Sequence, residues 1–226
     1  MLIDIVLAGK QALIVGEGRE PEFKASKLLD AEADVTVIGE SFTEGLRKTA
    51  ARSKGRVSLV SARPTREVVL RAVREKRPKV VFISTGRPEL DEELSEAVRA
   101  SGARPLVCVV DEPKLNDFNM PALARIGDVR VGVSTGGMSP AMAAILRDKV
   151  EKVVSRKDVL LVRLQGHIRK ESRTRLKDAA TRKEFAYKVI RDRKIGALLT
   201  RGDYPSAKAL AERMLEEAAR RGEAKG

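Results

Sequence analysis

The strongest chemical signal in this sequence is a predicted apolar strand that runs into two adjacent glycines. Residues 131–140 read Val-Gly-Val-Ser-Thr-Gly-Gly-Met-Ser-Pro. Ser139 is a favourable N-cap, and Pro140 suits the first position of a helix, predicted here over 141 to about 154. The free N–H groups of that helix would lie beside a turn without side chains, which is an arrangement that binds anions. From the two glycines alone, a tight strand-to-helix connection is an equally good interpretation.

A second glycine pair stands near the start of the chain, in the segment Gly16-Glu17-Gly18-Arg19-Glu20-Pro21. It falls between a predicted strand and a predicted helix, which is the context that a dinucleotide-binding motif requires. Gly16 would allow the tight turn, and Gly18 would let a pyrophosphate approach the backbone. Pro21 stands where the motif has Gly or Ala, and the alternative is an ordinary strand-to-helix turn.

Two acidic residues follow later strands. Glu40, with Ser41 beside it, comes about twenty residues after the glycines, where an acid accepts hydrogen bonds from ribose hydroxyls. A ribose-binding Glu40 would favour NAD over NADP, and a solvated loop acid is the alternative. Asp111 ends the fifth predicted strand, where open α/β sheets bind ligands, so its carboxylate could take a proton or hold a metal ion. A turn-forming Asp ahead of Glu112 and Pro113 is the other interpretation.

These residues need a sheet to bring them together, and the N-terminal half predicts one. Short Val/Ile/Leu runs alternate with amphipathic helices, which indicates an α/β fold with a Rossmann-like, doubly wound parallel sheet. We expect Phe23, Leu28 and Leu29 to face inward on the first helix. The predicted strands are 12–15, 35–38, 57–60, 80–84, 106–110 and, after an irregular segment, 129–134; the early helices are 21–31, 65–75 and 88–100.

From Ser139 onward the pattern predicts helix almost to the end of the chain. We expect breaks at Gly166, at Gly196 and at the turn formed by residues 202–205. His167, the single histidine, is predicted to pack on a helix face rather than to act as a ligand or base. The spacing of His, Cys, Asp and Glu residues predicts no metal site.

Composition limits the classes of function. No apolar stretch of about 18 residues predicts a membrane span, and the N-terminus lacks the basic region of a secretory signal. Cys108 is the single cysteine, which predicts a reducing cytoplasm.

The net charge is +13, and residues 151–226 carry 21 Lys and Arg against 11 Asp and Glu. Such a basic segment suits a polyanionic partner: nucleic acid, a membrane surface or a small molecule with many carboxylates. A charged surface of the kind found in heat-adapted proteins is the alternative.

The residues after the fifth strand carry a resemblance to a known family. They include Cys108-Val-Val-Asp111, Pro113, Asp117-Phe118 and Pro121-Ala122, followed by Ser-Thr-Gly-Gly-Met-Ser-Pro-Ala over 134–141. In order and spacing this block resembles the precorrin-2 dehydrogenase/sirohydrochlorin ferrochelatase family of sirohaem biosynthesis. The resemblance runs from about residue 15 to about residue 154.

The resemblance implies three parts: an NAD-binding Rossmann-like domain (1–112), a dimerisation and active-site segment (113–154) and a basic helical C-terminal domain (155–226). It implies a homodimer that oxidises precorrin-2 to sirohydrochlorin with NAD⁺; in some members ferrous iron is then inserted. Asp111 matches the essential acid/base. The implied cofactor residues are Gly16, Gly18, Arg19, Glu20, Glu40, Ser41 and Thr85, and the implied substrate residues are Ser134, Thr135, Gly136, Gly137 and Ser139.

The sequence departs from the family pattern on the cofactor side. Glu17 interrupts the usual three glycines, Gly86-Arg87 replaces an Asp-Asp pair after Thr85, and Cys108 replaces an Asn. Two other classes of function therefore stay open. One is an NAD(H)-sensing regulator with a basic helical domain that binds nucleic acid, although no helix-turn-helix is evident. The other is a scaffold paralogue that has lost cofactor binding.

Overall fold

A computed structural model describes residues 2–223, with side chains as far as Arg221. The chain forms two compact units, one ending at Met120 and one beginning at Pro121. The division into three functional parts stays a prediction.

The first unit alternates strands and helices, as the sequence predicts. Its elements are β1 (Gln11–Gly16), α1 (Arg19–Asp30), β2 (Asp34–Gly39), α2 (Glu44–Arg52), β3 (Val57–Ser61), α3 (Arg66–Lys76), β4 (Val80–Ser84), α4 (Pro88–Ala100) and β5 (Leu106–Val109). The helix α2 was not predicted, although Thr43 caps it by accepting a hydrogen bond from the Leu46 N–H.

All five strands are parallel and lie in the order β3-β2-β1-β4-β5. The chain therefore builds outward from β1 in one direction and then returns to the other side of β1 with β4. This reversal between β1 and β4 confirms the doubly wound fold, and in such sheets ligands bind at the carboxyl ends of the strands near the reversal.

Both faces of the sheet are buried, because the strands alternate their side chains between two helical layers. Ile14 and Phe82 pack on one face with Leu28 of α1, and Leu13 and Val81 pack on the other face among residues of α3 and α4. The sheet thus fixes the backbone at its carboxyl edge from both sides.

The expectation for Phe23 is wrong, since its side chain is 50% exposed. The buried face of α1 is formed by Pro21, Ala25 and Leu28, which recur at helical spacing. Phe23 lies outside that stripe, and its ring is covered instead by the ammonium of Lys27 at 5.4 Å.

The second unit begins with a hairpin and continues as five helices within the described residues. These are β6 (Ala122–Ile126), β7 (Val129–Val133), α5 (Pro140–Val153), α6 (Arg156–Arg175), α7 (Ala179–Arg191), α8 (Arg193–Thr200) and α9 (Tyr204–Glu223). The strands β6 and β7 are antiparallel and joined by Gly127 and Asp128, with Gly127 at a φ of 57°. Only β7 was predicted.

The predicted breaks at Gly166 and Gly196 are wrong, because both glycines lie inside helices. The helices begin instead where a polar side chain caps the first turn, at Ser155, Asp178 and Asp192. The break near residues 202–205 is confirmed, since α9 begins at Tyr204. Across the part of the chain that the structure describes, no helix is both long enough and apolar enough to span a membrane.

Candidate functional site

The carboxyl edge of the five-stranded sheet gathers most of the predicted chemistry of the first unit. Gly16 ends β1, Gly39 ends β2, Ser84 ends β4, and Asp111 follows β5 by two residues. Because these strands are parallel, their carboxyl ends meet at one edge. Neighbouring strands lie about 4.8 Å apart, which places the end of β5 about 10 Å from the end of β1.

Two glycines at this edge are required by packing. A Cβ on Gly16 would lie 1.9 Å from the Ser84 carbonyl oxygen, and the φ of Gly16 is +145°. A Cβ on Gly39 would lie 2.6 Å from the Gly16 carbonyl oxygen. The ends of β1, β2 and β4 therefore pack this closely only because Gly16 and Gly39 have no side chains.

Gly18 serves a different purpose from Gly16. It has a φ of +83°, and a Cβ there would meet no atom within 4 Å. It is the N-cap of α1, and no side chain caps that helix. The N–H groups of Arg19 and Glu20 at the start of α1 are therefore available to an anion, whereas Pro21 at the third helical position has no N–H. The Arg19 side chain is exposed.

The acidic residues in the first turn of α1, Glu20 and Glu22, would repel a bound anion, but each already has a partner within the chain. Glu20 lies 3.6 Å from the ammonium of Lys24. Glu22 accepts a hydrogen bond of 2.6 Å from the Thr43 hydroxyl, so its carboxylate is held against the start of α2. The glycine turn and the uncapped helix N-terminus fit the pyrophosphate of a dinucleotide, and Lys24 offsets the charge of Glu20 in part.

A carboxylate from the glycine turn reaches the loop after β2. Glu17 accepts hydrogen bonds of 2.9 Å from the Glu40 N–H and 2.9 Å from the Ser41 hydroxyl. The carboxylate of Glu40 lies 3.9 Å from the Arg63 Nε atom, beyond the end of β3. Glu40 and Ser41 thus lie where the sequence predicted them, but the Glu40 N–H and the Ser41 hydroxyl already donate hydrogen bonds to the Glu17 carboxylate.

Thr85 follows β4 and is fixed by a residue that sequence reasoning missed. Asp91 of α4 is 3% exposed. Its carboxylate accepts hydrogen bonds of 3.1 Å from the Thr85 N–H and 2.5 Å from the Thr85 hydroxyl. The available signal was an acid in the first turn of a predicted helix just after a polar loop. Asp91 therefore sets the path of the loop that continues β4.

Asp111 lies in a turn whose backbone is well anchored. The Val110 N–H donates to the Ile83 carbonyl at 3.0 Å, and the Glu112 N–H donates to the Val109 carbonyl at 3.3 Å. The Asp111 side chain is exposed and has no hydrogen-bond or ion-pair partner among residues 2–223. The carboxylate is thus presented to solvent at the sheet edge, free to meet a ligand.

The segment after Asp111 folds back along β5. Asn116 accepts a hydrogen bond of 2.6 Å from the Val109 N–H, and Asp117 accepts one of 2.8 Å from the Val107 N–H. Phe118 meets Phe82 edge to face at 5.4 Å. These side chains satisfy the free edge of β5, so Asn116 and Asp117 have a structural role there.

Cys108 is a buried thiol of the sheet core. Its side chain is 6% exposed, and burial raises the pKa of its thiol, an effect that Lys24 opposes in part. A thiol with a raised pKa is a poor nucleophile at neutral pH.

In the second unit, the turn between β7 and α5 is held by its own hydroxyls. Ser139 caps α5 by accepting a hydrogen bond of 3.2 Å from the Met142 N–H. The Thr135 hydroxyl accepts one of 3.0 Å from the Ser139 N–H and donates one of 3.1 Å to the Ser139 carbonyl. These contacts confirm the predicted start of the helix at Ser139 and Pro140.

The two glycines of this turn differ in what they leave free. The Gly136 N–H donates to the Ser134 hydroxyl at 3.2 Å. Gly136 and Gly137 have φ values of +63° and +84°, and a Cβ on either would meet no atom within 4 Å. No hydrogen bond occupies the Gly137 N–H within the described chain. The Gly137 N–H is therefore a donor that this turn can offer to an acid group.

The basic surface of the second unit includes three cations close together on α6. Arg169, Lys170 and Arg173 are exposed, and none has an ion-pair partner among the described residues, whereas Arg175 is paired with Glu171 at 3.1 Å. Residues 169 and 173 are four apart, so they share one face of the helix.

His167 packs on a helix face, as predicted. Its Nε2 atom lies 2.8 Å from the Glu212 carboxylate, which joins α6 to α9. Between residues 2 and 223 no group of three or more His, Cys, Asp and Glu side chains is placed to hold a metal ion.

Comparison with known families matches both units. Residues 3–122 match the model of a family described as "Putative NAD(P)-binding". Residues 127–152 match the model described as the central part of sirohaem biosynthesis proteins. The first match covers the whole parallel sheet, and the second covers β7, the two-glycine turn and most of α5.

Curated proteins that are similar to this chain are also named for sirohaem synthesis. The chain is 33% identical over 211 residues to siroheme synthase 2 of Serratia proteamaculans (strain 568), covering 93% of this chain and 42% of that protein. It is 29% identical over 216 residues to siroheme synthase 3 of Aeromonas hydrophila, covering 96% and 44%. The chain thus spans less than half the length of these curated relatives.

A solved structure shares the fold. The protein is described as SirC, precorrin-2 dehydrogenase, and is 15% identical with a TM-score of 0.71, over 94% of this chain and 99% of that one. At this identity the likeness shows the fold alone. With the two family matches, the chain belongs to the NAD(P)-binding family, among the members that carry the central segment of sirohaem biosynthesis proteins.

Proposed function

We propose that this protein oxidises precorrin-2 to sirohydrochlorin with NAD⁺. The observation that carries the proposal is the carboxyl edge of the sheet, where the glycine turn follows β1 and the carboxylate of Asp111, without a bonded partner among the described residues, follows β5 of the same sheet. The family match to NAD(P)-binding proteins and the names of the relatives, which concern sirohaem synthesis, support it.

Gly16, Gly18 and the N-terminus of α1 would hold the pyrophosphate of NAD⁺. The loop after β2 would lie on the ribose side of the cofactor, and Thr85 would contact the cofactor from the loop after β4. When bound, the nicotinamide accepts a hydride from the substrate. The oxidation removes a hydride and a proton from precorrin-2, so the hydride forms NADH and the proton needs a base.

Asp111 is the base that we propose for this proton. It stands free of hydrogen bonds and ion pairs to the described residues, so no protein donor competes for its oxygens. The backbone hydrogen bonds of Val110 and Glu112 anchor the turn that carries Asp111 at this end of the sheet. General-base help of this kind contributes about 10²- to 10⁴-fold in rate.

Precorrin-2 carries many carboxylates, and the second unit supplies groups that bind them. Arg169, Lys170 and Arg173 offer unpaired cations on α6, and Gly137 offers a backbone N–H. The excess of basic residues over 151–226 would also attract the substrate at a distance. We include Ser134, Thr135, Gly136 and Ser139 in this substrate site, because they shape the turn.

We also propose that the protein acts as a homodimer in the cytoplasm. The helix α5 exposes large apolar side chains, among them Met142 at 45%, Ile145 at 48% and Val153 at 78%. A second copy would cover this face, and exposed apolar surface of this kind marks interfaces. Sedimentation should show the mass of two chains, and Ile145→Glu should shift it to one.

The function is tested by incubating the purified protein with precorrin-2 and NAD⁺ without oxygen. We expect NADH to form in equal amount to sirohydrochlorin, both followed by absorbance, and neither to form without NAD⁺. Failure to produce NADH from precorrin-2 would reject the proposal. Adding ferrous iron as a second substrate then distinguishes an enzyme that also makes sirohaem from one that only oxidises.

A further inference from the structure

We infer that Glu17 selects a dinucleotide whose adenosine ribose carries a free 2′-hydroxyl, an inference that rests on the proposed function. The residue expected for this task was Glu40, the acid after β2. In the structure the carboxylate at this position comes from Glu17, between the two glycines of the first turn.

The position of Glu17 is imposed by the fold. Its side chain crosses from the end of β1 to the end of β2, passing over Gly39, where a Cβ would come within 3.2 Å of the Glu17 Cγ atom. At the far side the Glu40 N–H and the Ser41 hydroxyl each donate to it at 2.9 Å. One oxygen accepts from each donor, so the carboxylate is oriented by two contacts.

Glu40 itself contributes backbone to this arrangement. Its N–H donates to Glu17, and its carbonyl accepts a hydrogen bond of 3.3 Å from the Ser61 hydroxyl. Its carboxylate lies toward Arg63, at 3.9 Å. The charge of Arg63 is therefore offset by Glu40, and the proton of the Ser41 hydroxyl is already committed to Glu17.

These contacts determine which ribose the edge accepts. An ionised carboxylate offers about four lone-pair positions, so Glu17 keeps capacity to accept hydrogen bonds from ribose hydroxyls. A 2′-phosphate would bring negative charge toward the negative charge of Glu17, and the two would repel. An arginine near the end of β2 can accommodate a 2′-phosphate, and Arg63, beyond the end of β3, lies 3.9 Å from the Glu40 carboxylate instead.

The test is the affinity of the protein for NAD⁺ and for NADP⁺, measured by calorimetry. We expect the wild type to bind NAD⁺ at least tenfold more tightly. Glu17→Gln keeps the shape and an acceptor oxygen but removes the charge, and should reduce this ratio at least fivefold, chiefly by improving NADP⁺ binding. Glu20→Gln is the matched control: it removes the same charge from the start of α1 and should change both affinities by one factor.

Each outcome decides a separate point. If Glu17→Gln keeps the wild-type ratio, or improves both affinities equally, Glu17 does not select the ribose and the inference fails alone. Preference of the wild type for NADP⁺ would also overturn it while leaving dinucleotide binding intact. Absence of binding of either dinucleotide by the folded wild type, with folding checked by circular dichroism, would instead reject the proposed function.

Discussion

Replacing Gly16 by Ala should destabilise the first unit by about 2–6 kcal/mol. The added Cβ would lie 1.9 Å from the Ser84 carbonyl oxygen, which is backbone of the neighbouring strand and cannot rotate away. Overpacking of this kind costs about 1–3 kcal/mol. The φ of +145° adds strain of about 1–3 kcal/mol for a residue with a side chain. Since a whole domain is stable by about 5–15 kcal/mol, the loss should be large in urea unfolding.

Gly18→Ala separates this packing effect from the binding of the cofactor. Its Cβ would meet no atom of the described residues within 4 Å, so only the backbone strain at φ +83° and ψ −149° remains, about 1–3 kcal/mol. The variant should fold but bind NAD⁺ more weakly, because a methyl group would stand where the pyrophosphate approaches. Equal stability of the two variants would refute the reasoning, since it assigns the larger loss to the contact with Ser84.

Two further predictions concern the second unit. Gly166 lies inside α6, and a Cβ added there would meet no atom of the described residues within 4 Å. Gly166→Ala should therefore stabilise the protein by about 0.5–1 kcal/mol in urea unfolding. A destabilised variant would show that the surroundings of Gly166 are not open. Hydrogen bonds from helix N-termini hold the pKa values of three aspartates below their ordinary value, namely Asp158, Asp178 and Asp203. Their contribution is present above the unfolded-state pKa near 4 and is lost as pH falls through the lower folded-state values. Helical circular dichroism should therefore show easier urea unfolding at pH 3 than at pH 7, with a smaller difference in Asp178→Asn; the same difference in that variant would contradict a role for this cap.

The sheet and its carboxyl edge could be predicted because the strands are short Val/Ile/Leu runs buried on both faces. The alternation of such runs with amphipathic helices leaves few topologies, and right-handed crossovers then bring Gly16 and Asp111 to the same edge. The start of α5 was predictable for a local reason, since Ser139 and Pro140 are adjacent and each favours the same boundary.

The errors have identifiable causes. Glycine disfavours helix, so Gly166 and Gly196 predict helix breaks, yet an internal glycine lowers helix stability by only about 1 kcal/mol. The helices begin instead at the capping side chains of Ser155 and Asp178. The strand β6 was missed because its Ala-Leu-Ala-Arg-Ile sequence has weak β propensity and forms a strand only by pairing with β7.

The site contacts were harder to predict than the fold. A Gly-x-Gly pattern does not indicate where the middle side chain goes, so the crossing of Glu17 to the loop after β2 was not visible in the sequence. The contact of Asp91 with Thr85 depends on the path of the loop between β4 and α4, which the spacing of six residues does not fix.

The turnover of Asp111→Asn with precorrin-2 and saturating NAD⁺ tests the central claim most directly. The Asp111 side chain is exposed and makes no hydrogen bond or ion pair with the residues that the structure describes, so the variant should keep the stability and the NAD⁺ affinity of the wild type. Its rate of NADH formation should fall about 10²- to 10⁴-fold. A variant that binds NAD⁺ and oxidises precorrin-2 at the wild-type rate would contradict the assignment of the base, and with it the chemistry proposed for the sheet edge.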